Sequence, residues 1–303
     1  MVPPGRSESL PANFRFERVD LSVSDLGRSR AFYRDVVGLE ERPVDGWREH
    51  GNDVLDLGTV DGTLLRLSLR SGVAASPRRA SGLYHVALLL PDRPSLARFA
   101  HHLADRQHAV VGASDHAVSE AIYLEDPDGH GLEVYRDRPE AEWPYAGGEL
   151  ALRTDPLNLP DLLLALPPGV AQQTWTVPAG TRIGHVHLRV RDIDEARRFY
   201  VDAVGFDETT SYPGAAFLSV GGYHHHLGVN AWESAGRDGP GDEVARLLAI
   251  RGSLEGRSAM AELRERLGDC ANSDLATRDG DPDDGDTAHF RDPSGTRWIV
   301  AAR

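Results

Sequence analysis

The chain has 303 residues, 40% of them hydrophobic, which is enough material for two domains with their own cores. Its 47 acidic side chains against 33 basic ones give a formal net charge of −14, which argues against partners such as nucleic acid or an anionic membrane surface. The single Cys270 excludes an intramolecular disulfide and a cysteine cluster for metal, and no apolar run is long enough to span a membrane. We expect a cytoplasmic enzyme or binding protein that begins with a disordered tail over residues 1–13.

An internal repeat organises the chain. Residues 18–39 recur as residues 185–206, and every matched pair is offset by 167 positions. Each copy reads as a strand, an aspartate N-cap (Asp25 or Asp192) and an amphipathic helix that ends at a glycine. Further strands are predicted over 53–58, 62–70, 215–220 and 223–230.

A second kind of unit follows each copy of the repeat. Residues 82–91 predict a strand, residues 93–107 a helix, and residues 119–136 two antiparallel strands around the turn Asp126-Pro127-Asp128-Gly129. A degenerate version near the C-terminus has strand 244–250, helix 258–267, an Asp-Pro-Ser-Gly turn at 292–295 and strand 296–301. The predicted organisation is a tail over 1–13, a first half over 14–138 (modules 14–71 and 82–138), a linker over 139–182, and a second half over 183–303 (modules 183–232 and 243–303).

Two segments lie outside this plan. The Pro- and Trp-rich linker is expected to contain a short apolar helix within 155–167. Residues 271–287 are crowded with Asp and Gly and predict an exposed acidic loop. A calcium loop is disfavoured there because the EF-hand spacing with its terminal Glu is missing.

Candidate ligands for a metal fall on the inward faces of predicted strands. Glu133 and Tyr123 lie on the two strands that flank the Asp-Pro turn, and an inward carboxylate is costly unless a cation neutralises it. Alignment of the four opening strands places at one inward position Arg18, His85, His185 and Arg246. Either of these histidines alone is more often a packed or hydrogen-bonded core residue than a metal ligand. Together, two histidines and one carboxylate match the facial triad of non-haem Fe(II) oxygenases, which leaves three coordination sites open.

The run from His116 to Glu133 resembles the signature of type I extradiol ring-cleavage dioxygenases. It reads His116, five residues, Ile122-Tyr123, two residues, Asp126-Pro127, one residue, Gly129, three residues, Glu133. Ser114 is a mild departure, since the family tends to have a Gly-like or small apolar residue there. Over residues 15–303 the chain is similar to bacterial catechol 2,3-dioxygenases of the four-module kind. The resemblance implies an α+β vicinal-oxygen-chelate (glyoxalase-like) fold of four βαβββ modules paired into two cup-shaped sheets.

The same resemblance implies a metal, a substrate and roles for individual residues. His85, His185 and Glu133 would hold Fe(II), and Mn(II) is held by identical ligands. The substrate would be a small aromatic diol, either catechol or a substituted catechol. Dioxygen would cleave the ring of this substrate beside the diol. Whether the chain forms a homo-oligomer stays open.

Three further residues receive catalytic roles from the resemblance. Tyr123 would hydrogen-bond a substrate oxygen, and His116 would stand beside the substrate at the pocket wall. His225 would be the acid–base residue that accepts and later returns a proton. His226 stays its rival, because neighbouring strand residues point to opposite faces.

Neither half of the chain contains a complete triad. The first strand offers Arg18 and Asp20 but no histidine, and the last module has Ile299 or a neighbour where the Glu would stand. We therefore predict that the second and third modules pair across the linker to form one metal cup. The first and fourth modules would pair into a metal-free, structural cup.

Two other functions use the same scaffold. A glyoxalase-like isomerase or lyase usually adds a fourth protein ligand, and the matching position here is Gly228, which favours an open site for dioxygen. A small-molecule-binding or resistance protein needs an apolar cleft and no metal.

Overall fold

The computed structural model describes residues 9–44, 53–147, 149–169, 173–269 and 286–303. The first module contains β1 (Arg15–Val23), α1 (Leu26–Ala31), a π-helix (Phe32–Val37), β2 (Glu40–Arg42), β3 (Val54–Thr59) and β4 (Gly62–Leu69). The second contains β5 (Gly82–Leu89), α2 (Arg93–Asp105), β6 (Gly112–Asp115), β7 (Ser119–Glu125) and β8 (Gly131–Asp137). The linker contains a 3-10 turn (Glu140–Glu142), β9 (Tyr145–Ala146), β10 (Glu149–Leu150), β11 (Asp155–Pro156) and α3 (Leu159–Leu163).

The second half follows the same plan. The third module contains β12 (Arg182–Arg189), α4 (Ile193–Arg198), a π-helix (Phe199–Val204), β13 (Asp207–Tyr212), β14 (Ala215–Ser219) and β15 (Leu227–Asn230). The fourth contains β16 (Leu247–Leu254), α5 (Arg257–Asp269), β17 (Thr287–Arg291) and β18 (Arg297–Ala302). The predicted elements are present with ends shifted by a few residues. Most of the predicted acidic loop, up to residue 285, lies outside the described residues, as do residues 1–8 of the predicted tail.

The duplicated helices begin and end as the sequence predicts. The side chains of Asp25 and Asp192 accept hydrogen bonds from backbone N–H groups of the first turn. Gly38 and Gly205 end the helical segments in the left-handed region, with φ of 93° and 98°. The final turn of each segment is π-helical, which hydrophobic periodicity does not reveal.

Among the described strands, the modules pair across the two halves of the chain. One sheet has the order β11-β6-β7-β8-β5-β12-β15-β14-β13, so the second and third modules share it. The other sheet has the order β17-β18-β16-β1-β4-β3-β2 and joins the first module to the fourth. The central pairs, β5 with β12 and β1 with β16, are antiparallel. The predicted cross-half pairing is therefore confirmed, as is the α+β arrangement of four modules.

Register shifts interrupt both central strand pairs. On β12, His185 lies opposite Ala87 and His187 opposite His85, while Gly184 is an extra residue of a bulge. The pairing of β1 with β16 shifts at the equivalent point, one residue before Arg18. Because a bulge re-aims the side chains beside it, Gly184 helps to set the direction of His185.

The register corrects one sequence alignment. Arg246 precedes β16, whose first residue is Leu247, so its predicted equivalence with His85 is wrong. Asp20 is the repeat equivalent of His187, at the offset of 167 positions. Because Asp20 lies opposite Ala249 and His187 lies opposite His85, Ala249 is the equivalent of His85. The bulge at Leu248 of β16 has its counterpart at Tyr84 of β5, so Arg246 corresponds to Gly82.

Ion pairs occupy the place in the second sheet that corresponds to the triad. The carboxylate of Asp20 accepts hydrogen bonds from Arg18 Nε at 2.6 Å and Arg251 Nε at 2.9 Å. Ile299 lies opposite Arg251 at the position that corresponds to Glu133. The three charges at this place are thus paired with one another.

Segments outside the modules pack onto the body. Trp175 of the linker donates from Nε1 to the carbonyl of Val37 at 2.8 Å. Leu10, within the predicted disordered tail, is buried, and its N–H donates to the carbonyl of Gly205 at 2.7 Å. Residues 9–13 therefore contact the second half. Among the described helices, none is both long and apolar enough to cross a membrane.

We expect Gly184→Ala to destabilise the protein by about 2 kcal/mol, since a methyl group has no room there. An added Cβ would lie 1.9 Å from the hydroxyl oxygen of Tyr135 and 3.0 Å from Leu89 Cβ. The measurement is the free energy of urea unfolding. Gly112→Ala is the matched control because its added Cβ meets nothing within 4 Å. Equal stability of the two variants would contradict the tight packing at the bulge.

Candidate metal centre

Three predicted ligands meet in the interior of the shared sheet. Glu133 Oε2 lies 2.9 Å from His85 Nε2 and 3.1 Å from His185 Nε2, and the two imidazole nitrogens are 3.3 Å apart. All three side chains are more than nine-tenths buried. Ligand atoms on one octahedral face with bonds of about 2.1 Å lie about 3.0 Å apart. The donor set and its spacing therefore fit a divalent cation bound on one side by protein.

The hairpin of β7 and β8 positions the carboxylate. Tyr123 and Glu133 are direct partners in its register. Its turn is fixed by Asp126, whose Oδ1 accepts from the N–H groups of Asp128 and His130, while Gly129 supplies a φ of 85°. The Asp-Pro-x-Gly signal in the sequence therefore does form the turn that directs Glu133 inward.

The electrostatics of the cluster favour the forms that bind metal. Burial raises the pKa of Glu133, but the adjacent imidazoles of His185 and His85 outweigh it and hold the pKa well below its ordinary value. Burial lowers the pKa of His85 despite its contact with Glu133. A deprotonated carboxylate beside a neutral imidazole is what a metal site requires.

The cluster opens into a cavity of about 700 Å³. All six residues to which the resemblance assigns roles line it. Aromatic and aliphatic side chains form much of the remaining wall, including Tyr84, Phe217, Trp232, Val111, Leu124 and Leu132. A few polar groups that converge within mostly apolar walls are typical of a small-molecule site.

Tyr123 and His116 form a hydrogen-bonded pair at the cavity wall. His116 Nδ1 donates to the carbonyl of Arg153 at 2.8 Å, so its Nε2 accepts from the Tyr123 hydroxyl at 2.7 Å. Burial, followed by the charge of Glu133, raises the pKa of Tyr123 well above 10. The phenol therefore stays protonated, and the linker residue Arg153 fixes the tautomer of His116.

A polar chain supports His225 from behind. The carboxylate of Asp137 accepts from His224 Nε2 at 2.8 Å, so His224 Nδ1 accepts from His225 Nδ1, also at 2.8 Å. This leaves the lone pair on Nε2 of His225. Its ring centroid lies 4.2 Å from that of His185. Burial, followed by the charge of His185, lowers the pKa of His225 well below its ordinary value, so the imidazole is neutral and its Nε2 lone pair is unprotonated.

His226 faces away from the cavity. Its Nδ1 accepts a hydrogen bond from the hydroxyl of Ser219 at 2.9 Å, and its ring lies edge-on to Phe14. The strand predicted over 223–230 begins only at Leu227, so the histidine triplet lies in the turn before it. Of the two rivals, the structure brings His225 to the cluster.

We expect His226 to make the stability of the protein depend on pH. Burial, followed by the charges of His224 and His185, lowers its pKa to about 3. The unfolded chain keeps a pKa of about 6.5, so stability present above pH 6.5 is lost as the pH falls, by roughly 2 kcal/mol at pH 5. Urea unfolding at pH 7 and pH 5 measures this loss, which should shrink in His226→Gln. An unchanged loss in that variant would contradict the assignment.

His187 and Asp137 were not anticipated from the sequence as parts of the site. His187 is buried two positions after His185, and its Nε2 accepts from Asn230 Nδ2 at 3.0 Å. Alternation along β12 could have indicated it, since residues two apart share a face. An added Cβ on Gly228 would lie 2.8 Å from the ring of His187, so glycine here makes room for that ring. The support of His225 by Asp137 joins residues distant in sequence and left no local signal.

Comparisons with known proteins agree with this architecture. The family model for the Glyoxalase/Bleomycin resistance protein/Dioxygenase superfamily matches residues 15–134 and 182–300. A catechol-2,3-dioxygenase of Bacillus subtilis (strain 168) is 41% identical over 227 residues, which cover 73% of this chain and 75% of that protein.

Solved structures share the fold at low sequence identity. Glyoxalase I from Zea mays superposes with a TM-score of 0.56 at 15% identity, covering 96% of this chain and 92% of that chain. The cppA protein from Streptococcus pneumoniae TIGR4 gives a TM-score of 0.54 at 10% identity, covering 96% of this chain and 99% of that chain. At these identities the likeness shows the fold alone.

Proposed function

The chain belongs to the glyoxalase/bleomycin resistance protein/dioxygenase superfamily, and from this we propose that it is an extradiol dioxygenase. Its substrate would be catechol or a substituted catechol, opened beside the diol by O2 at a 2-His-1-carboxylate Fe(II) site. The observation that carries the proposal is the cluster of His85, His185 and Glu133 on one side of a largely apolar cavity. The relative's name as a catechol-2,3-dioxygenase supports it.

His85, His185 and Glu133 would hold the ion. When bound, the ion supplies Lewis acidity to the two hydroxyls of the diol and a template that brings diol and O2 together. The side that faces the cavity is open, since the cluster found among the described residues has three members and Gly228 offers no side chain. An open side leaves positions for both a chelating diol and O2. The four-ligand site that is usual for an isomerase of this fold leaves fewer.

His225 would move the proton. Its neutral imidazole accepts a proton from a substrate hydroxyl at Nε2, while His224 holds Nδ1. The positive charge formed is supported through His224 by the carboxylate of Asp137. The same imidazolium then returns the proton to an oxygen of the opened ring.

Tyr123 and His116 would orient the substrate. The protonated Tyr123 hydroxyl is within reach of the cluster, because its ring centroid lies 5.7 Å from that of His85. By turning its single proton from His116 Nε2 to a substrate oxygen, it would stabilise the negative charge that develops there. The apolar walls exclude water around that oxygen, which strengthens the hydrogen bond.

Metal analysis and an oxygen assay test the proposal together. We expect protein purified without oxygen to bind one equivalent of iron and, with catechol in air, to consume one O2 per diol and form a yellow ring-cleavage product. Manganese is assayed in parallel because the same ligands hold it. Turnover without O2 consumption would indicate an isomerase or lyase, and the absence of stoichiometric metal would indicate a binding protein.

A further inference from the structure

A buried arginine lines the cavity without an ion-pair partner among the described residues. Arg189 is 7% exposed. Its Nη2 donates to the carbonyl of Leu83 at 2.6 Å, and its Nε–H has no hydrogen-bond partner. Arginines are rarely this buried unless they are paired, because removing the charge from water is costly. The guanidinium therefore has donors free for an anion.

The position of Arg189 relates it directly to the metal cluster. His185, His187 and Arg189 alternate along one face of β12, and all three line the cavity. Four strand residues span roughly 13 Å. The guanidinium carbon lies 5.7 Å from the ring centroid of Tyr84, which in turn lies 5.3 Å from that of His85. One aromatic ring thus separates the cation from the cluster.

The cavity is larger than a single ring with two hydroxyls requires. Its volume of about 700 Å³ lies within the range that holds drug-sized ligands. Tyr84, Leu132 and Trp232 line it together with Arg189. A substrate bound by its diol at the cluster therefore has room for an arm that extends toward the arginine.

The other charges around Arg189 do not neutralise it. Arg78 and Glu125 pair with each other at 2.6 Å. Glu233 is exposed and makes no ion pair with Arg189. Burial lowers the pKa of Arg189. Its interactions with Tyr84 and Glu233 raise the pKa but do not outweigh burial. An anion bound here would offset part of the free-energy cost of removing the guanidinium from water.

We propose that Arg189 binds a carboxylate on the side arm of the substrate, which defines the substrate class as aromatic vicinal diols with an anionic arm. The part of this inference that places the diol at the metal cluster rests on the proposed function. A guanidinium presents a planar fork that matches a carboxylate and donates two parallel hydrogen bonds. Nε is enclosed by protein and one Nη2–H is given to the Leu83 carbonyl, so Nη1 and the second Nη2–H are the donors left for that carboxylate.

Ligand binding without oxygen tests the inference independently of turnover. The probes are dihydrocaffeate, whose arm ends in a carboxylate, and its methyl ester, measured by calorimetry on the iron-loaded protein. Hydrogen bonds to charged groups predict that the wild type binds the acid about tenfold to 100-fold more tightly than the ester. Arg189→Gln should abolish this preference while leaving the affinity for the ester within about twofold.

Arg78→Gln is the matched control, since it removes the same charge from the same cavity but from an existing ion pair. It should retain the preference for the acid. Equal binding of acid and ester by the wild type, or equal weakening of both ligands in Arg189→Gln, would overturn the inference. The latter result would identify Arg189 as a structural support for Tyr84. An acid preference that depends on Arg189 supports the inference even if no ring cleavage follows in air, which would count against the proposed function alone.

Discussion

Replacement of His185 by alanine is expected to leave the protein folded but without stoichiometric iron. The substitution removes one of three protein ligands, whose Nε2 lies 3.1 Å from Glu133 Oε2. Loss of a residue that merely supports a ligand commonly weakens metal binding about 10–100-fold, so loss of a ligand should weaken it by at least about 100-fold. Iron content after dialysis measures this directly, and catechol cleavage should fall with it.

His187→Gln is the control for this experiment. His187 lies on the same face of β12 and is also buried, but its Nε2 bonds to Asn230 rather than to the cluster. The control should keep its iron. Circular dichroism of both variants separates metal loss from unfolding. Full iron retention in His185→Ala would contradict a site shared between the two halves of the chain.

His225→Gln should reduce kcat for ring cleavage roughly 10²- to 10⁴-fold, the usual contribution of a positioned acid–base group. Iron should stay bound, because His225 packs against His185 but is not one of the three ligands. Glutamine keeps hydrogen-bonding capacity yet cannot take up a proton. Single-turnover kinetics on the iron-loaded variant measure the effect.

His226→Gln provides the comparison, since its ring bonds to Ser219 and not to the cluster. We expect its kcat to stay within about twofold of the wild type, in line with a residue that makes no transition-state contact. If His226→Gln were the slower variant, the assignment of the proton-transfer residue would have to be reversed. If both were as fast as the wild type, another group would move the proton.

Much of the fold follows from local signals in the sequence. The repeat at residues 18–39 and 185–206 predicts the modules, and the Asp caps and Asp-Pro-x-Gly turns predict where helices and hairpins begin. The π-helical turns and the bulge at Gly184 were missed, because they add single residues that hydrophobic periodicity averages out.

The candidate site was predictable where its residues carry a spacing motif. His116, Tyr123 and Glu133 fall within one hairpin signature, and alignment of the opening strands gave His85 and His185. The lack of a complete triad in either half then predicted that the second and third modules pair. Arg189 and Asp137 were not anticipated, because their importance comes from contacts between distant strands. The linker was predicted as a connector, yet Arg153 within it holds His116.

The pairing of β1 with β16 also bears on how the protein is made. β1 leaves the ribosome more than 200 residues before its antiparallel partner, since Arg15 lies opposite Ser253. Until that partner is synthesised, one edge of the nascent first module is an unpaired template for other chains. Contacts this distant in sequence slow folding and prolong the exposure of such edges. Chaperone assistance during translation is therefore expected to matter more for the β1–β16 sheet than for the sheet in which β5 meets β12.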